Sequence, residues 1–398
     1  MHFTPSMPQW GPAPLEHFPV QMPVDIQIDT QIQQALIERS AAYCLTSGQV
    51  IAQRTQELPL VEQLWHAKQL ASRLCRSKAL QFFVTRKADG AHLQPKELGE
   101  QVLHLLSSCV GTIWQQYPCH ALEPRIELLL ECAAKRNLLF LNPACFHLGQ
   151  AHLLQLVDSL NGFVQDVRKR GTSAGFKSKA IKFETQIDKR YKAMQNYFRQ
   201  LCALYPHGHV IRLDFSYQPH GFVGYQFTEE MHKTVTLHGQ ALLDHLTQSL
   251  GTAVVGYSWK RDFATARGFQ YHLVAILNGP QIHELHGIEQ SLGEYWCHSI
   301  TGGEGLWFNC HGSGGTDYHY RGMGSLWHRP RTMEEHLSLV PVFMTLTDGI
   351  AAFAPPGKAK PYGMATLPAG LQEKTALKMS QYPTIKNDVF SLFQNIEL

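Results

Sequence analysis

The residues of this chain that could do chemistry together are Gln270 and His272, on one predicted strand, and Asp262, on the predicted strand before it. Side chains alternate across a β-strand, so Gln270 and His272 point to the same face. A short loop between the two strands would bring Asp262 beside them. A carboxylate, an amide oxygen and an imidazole nitrogen form a mixed, oxygen-rich site that suits magnesium or manganese.

Asp214 lies on the polar face of a third predicted strand and is a further candidate ligand, or a residue that orients one. A divalent ion held there would polarise a phosphoryl oxygen and neutralise developing charge. A simpler alternative makes His272 a hydrogen-bonded core histidine and Asp262 a turn residue. Spacing alone leaves both interpretations open.

The elements that must position these residues follow from hydrophobic periodicity. Strands are predicted at 209–217, 253–262, 269–277 and 342–346, and helices at 228–250, 281–298 and 332–340. The order strand, helix, strand, strand, helix, strand matches the split βαβ, ferredoxin-like plan. An antiparallel sheet of this kind is expected to carry helices on one face and to leave the other face free for a ligand.

The N-terminal half has a different texture, with apolar residues at three- and four-residue spacing. Helices are predicted at 58–84, 95–117, 123–141 and 148–170. The fold class is therefore α+β, with an all-helical N-terminal half before the antiparallel sheet. The predicted organisation is an extended proline-rich tail at 1–24, a helical domain at 25–204, an α+β domain at 205–370 and a C-terminal tail at 371–398.

Positive charge is concentrated in residues 167–192, which we interpret as a basic linker of the helical domain. Only Glu184 and Asp188 oppose the basic residues there, so the local charge of +7 exceeds the +3 of the whole chain. Such a cluster suits a polyphosphate backbone, although a solvated linker is an alternative. The candidate DNA-binding residues are Arg168, Lys169, Arg170, Lys177, Lys179, Lys182, Lys189, Arg190 and Lys192.

The composition argues against several other classes of protein. The nine cysteines form no C-x-x-C pair, which disfavours a disulfide framework or a zinc ribbon and favours a reducing cytoplasm. The N-terminus has no basic start followed by an apolar run, and no stretch approaches the roughly 20 apolar residues that cross a bilayer. We therefore expect a cytoplasmic protein with no membrane partner.

Several segments together resemble the inovirus-type replication-initiator family, also called the YagK/YfjJ domain family, over about residues 188–364. The matching segments are VIRLDFSY at 210–217, YSWKRD at 257–262, GFQYHLVAILNG at 268–279, YWCHSITGGEGLWFN at 295–309 and PGKAKPYGM at 356–364. The resemblance implies a rolling-circle replication initiator of a phage or integrated element. Such proteins look like HUH endonucleases, in which a histidine pair and an acid bind a metal and a tyrosine attacks DNA.

Carried over by position, the resemblance places Asp262 at the acid and Gln270 and His272 at the two histidines, with Mg or Mn as the cofactor if the site is active. The tyrosine of its Tyr-x-x-Lys motif falls on Phe343 and the lysine on Leu346. Phenylalanine has no hydroxyl with which to form a phosphotyrosine intermediate, and leucine supplies no charge to a phosphate.

Two nearby tyrosines, Tyr318 and Tyr320, are candidate substitutes for the missing nucleophile. The hypothesis from the sequence is a DNA-binding protein built on an HUH-type domain, with impaired or lost nicking. Its expected partner is single-stranded or origin DNA. An active nickase that uses Tyr318 or Tyr320, and an interaction scaffold with no DNA role, are the alternatives.

Overall fold

The computed structural model describes residues 24–55, 57–88, 90–147, 149–206, 208–218, 227–281, 287–310, 337, 340–357 and 359–367. The predicted tails lie outside these residues, apart from Val24, where the first helix begins. The predicted helix at 332–340 also lies almost wholly outside them. None of the described helices combines the length and the apolar character that a membrane span needs.

The described chain mixes α-helices with antiparallel sheets. The helices are α1 (Val24–Arg39), α2 (Glu57–Arg76), α3 (Glu97–Leu106), α4 (Ile113–Gln116), α5 (Pro124–Lys135), α6 (Gln150–Gly171), α7 (Ala174–Leu204), α8 (Glu229–Leu250), α9 (Ile288–Glu294) and a further helix at 340–345. The strands are β1 (Ala41–Thr46), β2 (Gln49–Arg54), β3 (Phe82–Lys87), β4 (Gly90–Pro95), β5 (His120–Leu122), β6 (Gly208–Tyr217), β7 (Val254–Ala264), β8 (Gly268–Asn278), β9 (Gly305–Asn309), β10 (Ala351–Phe353) and β11 (Tyr362–Met364).

The central sheet has five strands in the order β11-β7-β8-β6-β9, and every neighbouring pair is antiparallel. Helix α8 connects β6 to β7, and α9 with a following π turn, Tyr295–Ile300, lies between β8 and β9. The predicted strands at 209–217, 253–262 and 269–277 are therefore confirmed, with ends that differ by one or two residues. The hydrophobic pattern was a reliable signal for them.

One face of this sheet packs against α8 and α9. Leu213 and Phe215 of β6 and Leu273 of β8 share an apolar core with Leu242 of α8 and Trp296 of the π turn. Burying each such side chain stabilises the fold by about 1.5–3 kcal/mol. The helices on this face are those predicted from the sequence.

The opposite face is covered as well, which overturns the expectation of a face left free for a ligand. Val274 and Ile276 of β8 belong to the same apolar core as Leu36 of α1, Phe198 of α7 and Val340. The polar residues of this face are also buried. The N-terminal half packs onto this face of the sheet. The alternation of side chains along a strand cannot show that another part of the chain covers the face.

The prediction of an all-helical N-terminal half is wrong. Two hairpins, β1–β2 and β3–β4, interrupt it, and β5 pairs with β10. The first hairpin turns at Ser47 and Gly48, whose φ angles of 51° and 79° are those of a tight hairpin turn. The predicted helix at 58–84 included the first residues of β3, and the predicted helix at 95–117 included the short α4, because apolar residues recur in both places beyond the end of the first helix.

The basic stretch is helical rather than a linker. It covers the end of α6 and more than half of α7, with only Thr172 and Ser173 between the two helices. The hydroxyl of Ser173 accepts a hydrogen bond from the backbone N–H of Phe176 and so caps α7. The charges therefore stand on two rigid elements.

The predicted last strand at 342–346 is also wrong. Residues 340–345 form a helix that continues into a 3₁₀ turn at Leu346–Gly349. The strand that completes the sheet next to β6 is β9, Gly305–Asn309, in a glycine-rich part of the chain for which we predicted no strand. The nearby glycines hid the short apolar run of β9.

Candidate functional site

The structure brings the four predicted ligands together on one face of the central sheet. Asp214 pairs with His272 across β6 and β8, and Asp262 pairs with Gln270 across β7 and β8. Directly opposed residues of an antiparallel pair project to the same face, so all four side chains share it. None is more than 2% exposed, so the cluster lies away from bulk water.

Two arginines hold the carboxylate of Asp262. Arg39 binds both oxygens, with Nε 2.5 Å from Oδ2 and Nη2 3.0 Å from Oδ1. Arg267 adds a contact from Nη2 to Oδ2 at 2.9 Å. Burial alone would raise the pKa of Asp262, but the charges of Arg39 and Arg267 outweigh it and hold that pKa well below its ordinary value.

Arg39 is the last residue of α1 and reaches the sheet from a distant part of the chain. Its remaining donors bind the backbone carbonyls of Thr347 at 3.0 Å and Ala351 at 3.1 Å. A guanidinium offers donors in a fixed planar fork, and here the fork joins a carboxylate to two carbonyls. Arg39 thus ties α1, β7 and the 346–351 segment together.

Arg267, in the turn between β7 and β8, donates to the amide oxygen through which Gln270 would bind a metal. Its Nη1 donates to Oε1 of Gln270 at 2.8 Å, and its Nε donates to Oε2 of Glu57 at 2.9 Å. The amide nitrogen of Gln270 donates to the carbonyl of Ala41 at 2.7 Å. Gln270 is therefore a hydrogen-bonded bridge between its own turn and the N-terminal half.

The second carboxylate, Asp214, is held by neutral and charged partners. Nδ1 of His272 lies 2.8 Å from Oδ1, and the hydroxyl of Tyr43 donates to Oδ2 at 2.5 Å. Burial lowers the pKa of His272 despite the nearby charge of Asp214, so the imidazole is neutral near pH 7 and donates through Nδ1. Burial raises the pKa of Asp214, but His272 and Arg212 lower it by more than burial raises it. The pKa of Asp214 therefore lies below its ordinary value.

Phe343, on which the resemblance places a tyrosine, lies against this pair. Its ring meets the imidazole of His272 edge to face, with 5.0 Å between ring centroids. The guanidinium of Arg212 lies 4.2 Å from the centre of the same ring, a cation–π contact. Leu346 is buried at the start of the 3₁₀ turn. Tyr318 and Tyr320 lie outside the described residues.

Residues 39–43, which we call the docking segment, are the part of this site that sequence reasoning missed. Arg39 binds Asp262, the carbonyl of Ala41 binds Gln270, and Tyr43 binds Asp214. Three alternate positions, from the end of α1 to the start of β1, thus satisfy polar groups across three strands of the sheet. One signal could have indicated it. Buried carboxylates need partners, and the strands of the sheet alone supply too few partners for Asp214 and Asp262.

A further ion pair extends the network at the other edge of the face. Nζ of Lys260 lies 2.6 Å from Oδ1 of Asp348, and Nη1 of Arg190 lies 3.5 Å from Oδ2 of the same carboxylate. Burial lowers the pKa of Lys260 against the attraction of Asp348. The arrangement fastens α7 and the Leu346–Gly349 turn to β7.

The residues present do not fit a divalent ion. Both oxygens of Asp262 and of Asp214 and the amide oxygen of Gln270 already accept hydrogen bonds. Of the four predicted ligands, only His272 has a nitrogen, Nε2, without a hydrogen-bond partner in the described part of the chain. No cluster of His, Cys, Asp or Glu suited to a metal occurs among the described residues. The arrangement can carry charge and hold elements together, and it supplies no metal-activated water.

The predicted DNA-binding residues divide into structural and exposed ones. Arg168 donates to the carbonyls of Leu74 and Ala79, and Arg190 binds Asp348 and covers the ring of Tyr362. Ion pairs join Arg170 to Glu131, Lys179 to Glu127 and Lys192 to Asp188. Lys169, Lys182 and Lys189 are exposed, and Lys177 is half-buried.

Comparison with known proteins gave no match: no family model, no curated protein and no solved structure is similar to the chain.

Proposed function

We propose that this protein binds DNA on a domain like that of rolling-circle replication initiators and does not cut it. The sequence resemblance over about residues 188–364 supports the first part of the proposal. The chemistry of the buried polar face supports the second. The protein would compete with, or regulate, an active initiator by holding DNA without nicking it.

The sheet supports an initiator-like domain. Read from β9, the strands run β9-β6-β8-β7, and α8 and α9 form the two crossovers. In a split βαβ plan the fourth strand lies beside the first, and the third lies between the first and the second. The order here agrees with that plan, and β11 is an addition at the edge.

The observation that carries the loss of cutting is the occupation of Asp262 by Arg39 and Arg267. The resemblance implies a divalent cation at that carboxylate, and two guanidinium groups supply positive charge there instead. A guanidinium neutralises the carboxylate but has no open coordination position for a phosphate oxygen. Removing either arginine would leave the buried carboxylate with one charged partner fewer, which is costly.

The position of Phe343 supports the same conclusion. Its ring lies against His272, where the resemblance implies a tyrosine hydroxyl. The ring is 1% exposed, so a DNA strand has no access to that point. At this face a phenylalanine stands in place of the nucleophile and guanidinium groups stand in place of the metal. The burial of Phe343 also denies DNA the access that nicking requires.

The test combines a cutting assay with a binding assay on the full chain. We expect salt-dependent retention of labelled DNA and, with Mg or Mn added, neither a nicked plasmid nor a covalent protein–DNA adduct. Mn should also leave the melting temperature within about 1 °C of the value in a chelator, since a ligand stabilises only what it binds.

Two results would contradict the proposal. A covalent adduct that maps to Tyr318 or Tyr320, and that disappears in the matching Tyr→Phe variant, would identify an active nickase. Failure to retain DNA of any form at low salt would favour a scaffold with no DNA role.

A further inference from the structure

We infer that the DNA held by this protein is duplex, and that its backbone lies along the outward face of α7. The inference rests on the proposed DNA-binding function and adds the form of the DNA and the surface that contacts it. It follows from how α7 is anchored, where its charges point and which side chains its outer face lacks.

Helix α7 is fixed to the protein along one side. Ile187, Met194 and Leu201 are buried, and the hydroxyl of Tyr197 accepts a hydrogen bond from the backbone N–H of Tyr257 at 3.0 Å. The opposite side therefore faces outward as a straight, rigid ridge. Residues 179–199 extend along it for about 30 Å at 1.5 Å per residue.

Both acidic residues of α7 are turned away from that ridge. Oε1 of Glu184 lies 2.7 Å from Nη1 of Arg125 on α5, and Asp188 is only 8% exposed. The exposed uncharged residues with polar side chains there are Ser178, Gln186 and Asn196, which can donate hydrogen bonds to phosphate oxygens. The carboxylates nearest the ridge are all paired with cations: Glu184 with Arg125, Asp188 with Lys192 and Glu127 with Lys179.

Cations occupy the same ridge at regular intervals. Lys182 and Lys189 are seven residues apart, two helical turns or about 10.5 Å, and both are exposed. Arg199 is exposed further along the helix, and Lys179 and Lys192 are exposed but paired with Glu127 and Asp188. A duplex carries one negative charge per about 1.7 Å of its axis, so Lys182 and Lys189 can each reach a phosphate of the same duplex.

The ridge lacks what a single strand would need. Proteins that hold single strands combine cations with exposed aromatic rings on which bases stack. Tyr191, Tyr197 and Phe198 of α7 are buried, and Phe176 and Phe183 are partly buried against the core. No Phe, Tyr or Trp on α6 or α7 is exposed. Without such rings the ridge lacks the stacking that holds single strands, and contacts to the backbone give no sequence preference.

The experiment measures affinity by fluorescence anisotropy for a short duplex and for each of its separated strands, over a series of salt concentrations. Three full-length proteins are compared: the wild type, the double variant Lys182→Ala/Lys189→Ala, and the control Lys87→Ala/Lys233→Ala. The control lysines are exposed on β3 and α8, away from α7. All four lysines are on the surface, so the variants should fold.

We expect the wild type to bind the duplex more tightly than either strand. The ridge variant should bind the duplex on the order of tenfold more weakly, with a salt slope reduced by about 1.8, because two phosphate contacts are lost. The control variant has lost the same two charges and should keep the affinity and the salt slope of the wild type. Tighter binding of single strands, or a ridge variant that matches the control, would overturn the inference and leave DNA binding intact. Absence of binding to any form would instead overturn the proposed function.

Discussion

The carboxylate of Asp262 is bound to a guanidinium 223 residues away in the sequence, that of Arg39, and to one five residues away, that of Arg267. An isolated buried carboxylate is unstable because it loses its hydration. Paired in this way it becomes a fixed point at which distant parts of the chain meet. The same residue types that suit a metal site also suit such a network, and the neighbours decide between the two.

Replacing Arg39 with methionine should destabilise the protein by roughly 3–5 kcal/mol, because it leaves a buried carboxylate short of a partner. Urea unfolding measures the change. The double variant Arg39→Met/Asp262→Leu should lose less than the sum of the two single changes, because it leaves no unpaired charge. Arg54→Met, on the exposed end of β2, is the control and should stay within about 0.5 kcal/mol. A single variant as stable as this control would contradict the role assigned to Arg39.

His232 makes stability depend on pH. Burial and the charge of Arg261 lower its pKa to about 4, below the unfolded value of about 6.5. The unfolded chain therefore binds more protons between these values, so stability is present above pH ~6.5 and is lost as the pH falls toward 4. His232→Phe, which keeps a ring beside Phe227 and Phe353, should reduce this loss. Urea unfolding across that range checks it, and an unchanged pH dependence would contradict it.

At the scale of elements, the docking segment and α7 do different work. The docking segment lies across three strands and satisfies their polar groups. Helix α7 is buried along one side and carries exposed cations on the other. The docking segment explains why the polar face of the sheet is closed, and α7 explains why the protein has a basic surface.

The start of α7 depends on its cap. Ser173→Ala removes the hydroxyl that accepts the N–H of Phe176 and should cost about 1 kcal/mol. Ser178→Ala, on the exposed ridge, should be neutral or slightly stabilising, because alanine is the better helix former. Chemical denaturation of both variants tests the difference. Equal stabilities would show that the cap contributes nothing.

At the scale of the whole molecule, the two halves share one structure. Apolar residues of α1, α2, α5 and α7 form a single core with Val210, Val274 and Ile276 of the sheet. Buried ion pairs cross the same boundary at Arg39–Asp262 and Glu57–Arg267. The division at residue 205 suggested by the change in sequence texture remains a prediction about organisation, but the packing joins the two sides.

We therefore expect residues 205–398 expressed alone not to fold, because Asp214 and Asp262 would lose their N-terminal partners. Proton NMR dispersion of that fragment is the measurement. For the full chain, unfolding followed by tryptophan fluorescence and by far-ultraviolet circular dichroism should give coincident transitions. A well-dispersed spectrum from the fragment would show that the sheet does not need its cover.

The sequence by itself determined three strands of the sheet, most of the helices and the alternation that places Asp214, Asp262, Gln270 and His272 on one face. These are local properties, set by side-chain periodicity along a few residues. It did not predict the two N-terminal hairpins or β9, where short apolar runs adjoin helices and glycines.

Only the tertiary structure decided what that face does. The partners of its carboxylates come from Arg39 and Tyr43, far away in the chain, and no periodicity records which distant residue will lie opposite a buried charge. Whether a carboxylate binds a metal or a guanidinium depends on that partner. Long-range packing, and not the spacing of the ligands, closed the face and left the basic ridge of α7 outside.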